Sequence, residues 1–148
     1  MIRPRSEIVE KERAIIEALN FAREFAETAG KENNPCLTEA VENWHAEEEE
    51  LMTLTQFKDA TAGRIYGALM EVESIFLQEL AEILSFFKDI KLADLSDNNQ
   101  EMENLLSPAA AYDKEGKPLA PPAVNTARKR AFMLWRRKHI LEWLLKEQ

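Results

Sequence analysis

The chain predicts an all-α fold, a bundle of four to five helices with one long central helix, and two observations carry that prediction. First, Phe57, Thr61, Ile65, Leu69, Val72, Phe76, Leu80, Ile83, Phe87 and Ile90 follow one another at steps of three or four. Their mean spacing, about 3.7, is that of a helix and far from the strand period of 2. Second, the 148 residues include only 4 glycines and are rich in Ala, Leu, Glu and Lys. These side chains lose little rotamer freedom on a helix. Hydrophobic residues at 45% and charged residues at 31% describe a globular chain rather than a disordered one. A chain of this length buries roughly 70% of its unfolded surface, so residues 1–148 read as a single domain.

The elements follow in order. A first helix is expected from Ser6, a good N-cap, to Ala29, with Gly30 as the left-handed residue after its end. Ile8, Ile15, Leu19, Ala22, Ala26 and Ala29 share one face, with Phe25 beside it. Asn33-Asn34-Pro35 marks a turn. A second helix starts near Asn34 or Thr38 and ends near Leu51, with Val41 and Trp44 turned inward. Thr53 and Gln56 have the spacing of a capping box, so the third and longest helix is placed from Thr55 to Lys91, a rod of roughly 55 Å at 1.5 Å per residue. Asp97 with Gln100 suggests a cap for a short helix ending near Ser107. Residues 108–124 hold Pro108, Pro118, Pro121, Pro122 and Gly116 and are expected as a surface loop. The last helix covers residues 125–148. The predicted core contains Leu19, Trp44, Phe57, Ile65, Leu69, Phe76, Leu80, Ile83, Trp135 and Leu141.

Charge is segregated along the chain. Residues 1–107 carry 23 acids and 10 bases, a balance of −13, whereas residues 125–148 carry 7 bases and 2 acids, a balance of +5. On the last helix Ala127, Ala131, Leu134, Leu141 and Leu145 cluster on one side and Lys129, Arg130, Arg136 and Arg137 on the opposite side. Phe132, Trp135, His139 and Trp143 form an aromatic edge beside the core face. The basic strip either pairs with this protein's own acids or meets phosphates or an acidic partner. Glu47, Glu48, Glu49 and Glu50 oppose the macrodipole at a helix C-terminus. They read as a solvated end or as an acidic patch held by positive charge.

Chemistry is sparse. Cys36 is the only cysteine, which excludes an intrachain disulfide and points to a reducing, cytoplasmic setting; it reads as a small packed hydrophobe. Glu42 and His45 have the Glu-x-x-His spacing of carboxylate-bridged di-iron bundles, but the second half-site that such centres need is missing. No phosphate-binding glycine loop, nucleophile elbow or zinc ligand set occurs, so no cofactor, metal or small-molecule substrate is expected. Gly63 and Gly67 lie in mid-helix, where each costs about 1 kcal/mol relative to Ala. One turn apart, they suggest a groove for a close helix, from this chain or from a second protein.

The reading that follows is a non-enzymatic helical interaction protein, a small subunit of a larger bacterial or phage protein or nucleoprotein assembly. Small subunits of CRISPR effector complexes are comparable in size and style, as an analogy of fold only. Other protein subunits are the expected partners, with nucleic acid as a contact within a complex and no membrane. The alternative is an acidic regulator that covers the basic surface of a partner, motivated by the balance of −13. A metal enzyme resting on Glu42 and His45 ranks last.

Overall fold

A computed structural model describes residues 2–95 and 99–145. The described residues are all-α, with four long helices and three short ones among them: α1 (Arg5–Lys31), α2 (Leu37–Phe57), α3 (Ala62–Phe86), α4 (Leu92–Leu95), α5 (Asn99–Leu106), α6 (Pro108–Ala111) and α7 (Pro122–Leu145). Among the described residues the only extended pairing is an isolated bridge between Tyr112 and Pro118.

The expected rod from Thr55 to Lys91 is two helices. α2 continues to Phe57, the chain turns through residues 58–61, and α3 starts at Ala62. Thr53 and Gln56 therefore sit inside α2, and the N-cap is Thr61, whose Oγ1 accepts from the Arg64 amide at 3.2 Å. The periodicity survives the break for a geometric reason. A four-residue turn advances the sequence by about one helical repeat, so Phe57 and Ile65 keep the same apolar phase on either side. α3 with its 25 residues is roughly 37 Å long rather than 55 Å.

Other boundaries move as well. α1 starts one residue before Ser6, which makes no cap hydrogen bond. Gly30 lies within α1, and the left-handed residue is Asn33, with φ 52°. α7 begins at Pro122, three residues before the expected start, because proline suits the first turn, where no amide donor is required. Part of the 108–124 loop is ordered. Pro108–Ala111 forms a helical turn capped by Ser107, and Asp113 Oδ1 accepts from the amides of Glu115 and Lys117 at 2.9 and 2.8 Å in a tight hairpin. Asp97, predicted as a cap, lies outside the described residues.

The central element is α7. It packs against α2 on one side and α3 on the other, and α1 covers the far side of α2. α2 runs parallel to α7, with Glu42 opposite Arg128 and Glu47 opposite Arg136. α3 runs antiparallel, with Glu79 opposite Arg130 and Glu73 opposite Lys138. At one end Ile8, Ile15, Leu54, Phe57, Ile65, Val72, Ile140 and Leu141 join all four long helices in a single cluster. At the other end Phe76, Leu80, Ile83, Ala131, Phe132 and Trp135 are closed by Leu95, Met102 and Leu106 from α4 and α5. Of the predicted core, Leu19, Trp44 and Leu69 are only half-buried, and the other seven residues are buried.

Candidate interaction surfaces

The basic strip divides. Arg136 and Arg137 do not face away from the fold; they lie against α2, each with a side chain only 21% exposed. Arg136 donates to Glu47 at 2.7 Å and to Glu50. Arg137 donates to Thr53 Oγ1 at 3.0 Å and to Gln56 at 3.2 Å, with Glu49 at 3.8 Å. Three glutamates of the 47–50 run thus pair with α7, and Glu48 faces His45 at 2.8 Å. The run is not the end of a helix, since α2 continues for seven residues beyond Glu50, so the opposition to the macrodipole expected there does not arise. Burial pushes the Glu50 carboxyl above its usual range, against the pull of Arg136.

Lys129 and Arg130 stand apart from this staple. Lys129 has no ion-pair partner among the described residues, and the Arg130 side chain is 66% exposed with Glu79 at 3.7 Å. Both border a groove of about 610 Å³ between the N-terminal halves of α2 and α7, with Leu37, Val41 and Met133 as its apolar lining. Thr38, His45 and the buried Glu42 complete its lining.

Glu42 and His45 do not converge on a common point. Glu42 is buried: one carboxylate oxygen accepts from Arg128 Nη2 at 2.7 Å and the other from the Tyr112 hydroxyl. Arg128 also donates to Asn125 Oδ1 at 2.9 Å and to the Leu106 carbonyl at 2.7 Å. This network joins α2, α5, the hairpin and α7, and sequence reasoning missed it. The signal was there: Arg128 lies beside Ala127 and one turn before Ala131 and Phe132, and a charge on an apolar face requires a buried partner. His45 is exposed and stacks on Trp44 with ring centroids 5.6 Å apart.

Gly63 and Gly67 are exposed on α3. A Cβ added to either would meet nothing within 4 Å, so no helix of this chain approaches them closely among the described residues. The expected packing groove is not formed by the described residues of this chain. Gly116, expected only as a loop breaker, is a closely packed glycine: its φ is +82° and a Cβ there would collide with the Pro35 carbonyl oxygen. On the aromatic edge of α7, Phe132 and Trp135 are buried, and Trp143 and His139 are half-buried. Arg3 sits over Trp143 and donates to its carbonyl at 2.8 Å, so the N-terminal segment caps the end of α7. His139 lies 4.4 Å from the Trp135 ring, and burial lowers its pKa.

No helix among the described residues is long and apolar enough to cross a membrane. No protein-family model, curated protein or solved structure matches this chain.

Proposed function

We propose that this chain is a non-enzymatic helical subunit of a larger protein assembly, and that the α2–α7 groove holds an acid-flanked apolar segment of another subunit. The observation that carries this reading is the pairing of an apolar groove with two cations that the fold does not neutralise closely. Leu37, Val41 and Met133 line it, and Lys129 and Arg130 stand at its border. An amphipathic helix of a partner would seat apolar anchors between α2 and α7 and set carboxylates against the two bases.

The nucleic-acid reading loses support from the same geometry. Arg136 and Arg137, half of the basic strip, are engaged with α2, and two remaining cations release few counterions from a phosphate backbone. The acidic-regulator reading loses the 47–50 run for the same reason. The test is co-purification of the tagged protein from its native host, wild type against the double variant Lys129→Glu, Arg130→Glu. The expected result is a stoichiometric protein partner that the variant loses while its melting temperature stays within about 2 °C, as surface changes usually allow. Equal retention of the partner by both proteins would sink the groove reading. Retention of nucleic acid that falls steeply with salt would favour the nucleoprotein reading.

A further inference from the structure

The two glycines of α3 lie on a longer face. Gly63, Gly67, Met70, Ser74, Leu77 and Ala81 are all exposed. They follow one another at steps of four and three, the heptad spacing of a helix seam. At 100° per residue they occupy about 80° of arc. That arc is centred opposite Ile65, Val72 and Ile83, which face α7 and the core. No charge falls on it over roughly 27 Å of helix. Met70 is 70% exposed and Leu77 50%, with Tyr66 beside them at 53%. Large apolar side chains on the solvent side of a helix, alternating with residues that have little or no side chain, form a set of knobs and holes that no other described residue fills.

We infer that this face is the seam of a homodimer in which α3 packs antiparallel against α3 of a second copy. The register of the face points to a second copy. An antiparallel pair centred on Val72 sets Gly67 opposite Leu77, Met70 opposite Ser74, and Gly63 opposite Ala81 of the other copy. Each large residue meets a small one, and the pattern reads the same from both copies, as a twofold interface demands. In such a pair each flank faces the same flank of the second copy. Arg64 of one copy then lies beside Gln78 and Glu82 of the other, where Glu82 has no ion-pair partner among the described residues, whereas Glu71 and Glu73 each lie beside their own counterpart and weaken the pair. The open space over Gly63 and Gly67 is what a closely approaching backbone needs. The seam is narrow compared with a standard interface of about 800 Å² per partner, so the dimer is expected in the micromolar range. It is independent of the α2–α7 groove.

Sedimentation equilibrium of the full chain from about 5 to 300 µM, which brackets that affinity range, tests the inference. Wild type is expected to show a reversible monomer–dimer equilibrium. Gly67→Leu fills the hole that receives Leu77 and should weaken the dimer at least tenfold. Its melting temperature, read where the protein is monomeric, should be unchanged or higher, because the new side chain meets nothing in the monomer and improves helix propensity. Arg64→Glu should weaken the dimer, and adding Glu82→Arg should restore it. A wild type that is monomeric at every concentration overturns the inference, as does a Gly67→Leu variant that dimerises like wild type. A monomeric wild type that loses another protein on Gly67→Leu also overturns it and assigns the face to that protein.

Discussion

At the scale of single residues the buried pair Glu42–Arg128 has the largest stake in stability. Both side chains are less than a tenth exposed, and their remaining hydrogen-bonding capacity is directed at Tyr112, Asn125 and the Leu106 carbonyl. A buried ion pair gains little over a well-packed apolar pair, but removing one partner leaves an uncompensated charge in low dielectric. Arg128→Met should therefore destabilise the fold by about 3–5 kcal/mol, measured by urea denaturation. The double variant Arg128→Met, Glu42→Gln should recover part of that loss. A single-variant cost below about 1 kcal/mol would mean that Glu42 finds another partner. The sequence held the residues of this network but not its connections. Glu42 was legible only as one end of a Glu-x-x-His spacing, and its partners lie 70 and 86 positions away.

At the scale of elements, helix identity was legible and helix boundaries were not. Apolar periodicity reports the face of a helix that is buried. It carries no mark of a chain reversal when the turn preserves the phase, which is why Phe57 to Ile65 read as continuous. The local signal that does mark the break is Thr61, an N-cap residue followed by Ala62. Thr61→Ala should remove the acceptor for the Arg64 amide and cost about 0.5–2 kcal/mol in urea denaturation. An unchanged midpoint would show that water caps α3 equally well. The same limit applies to α7. Its wheel separates apolar and basic sides correctly enough to place Ala131 and Leu141 inside, yet Arg136 and Arg137 are directed to α2. A helix packed between two neighbours has two inward sides, and a wheel with one assumed core direction finds only one.

At the scale of the whole molecule, the helical stack sets how stability responds to pH. His139 is held below its usual pKa by burial beside Trp135, so the native state favours the neutral ring. Its contribution is present above the ordinary histidine pKa, near 6.5, and is lost as pH falls through the lower folded value. Glu50 has the opposite sign. Its raised pKa gives a contribution that is present below 4.5 and lost as pH rises through the folded value. Acidification from about pH 7.5 to 5.5 therefore sets a loss from His139 against a gain from Glu50, and His139→Gln, which removes the loss, should make the melting temperature fall less or rise more than in wild type. The same change in variant and wild type would remove His139 as a contributor.

The sequence by itself determined the all-helical class, the segregation of acids from bases and most of the buried apolar positions. Those properties come from local propensity and from the helical period, which act within about four residues. The tertiary structure alone decided where the charges go. Pairing Arg136 with Glu47 and Glu50 depends on α2 and α7 running parallel in contact, and burying Arg128 depends on the hairpin and α5 closing over it. It also decided that Gly63 and Gly67 face outward. A glycine's cost is local, but whether a neighbour fills the space above it is fixed by how helices pack, and on α3 no part of the described chain does so.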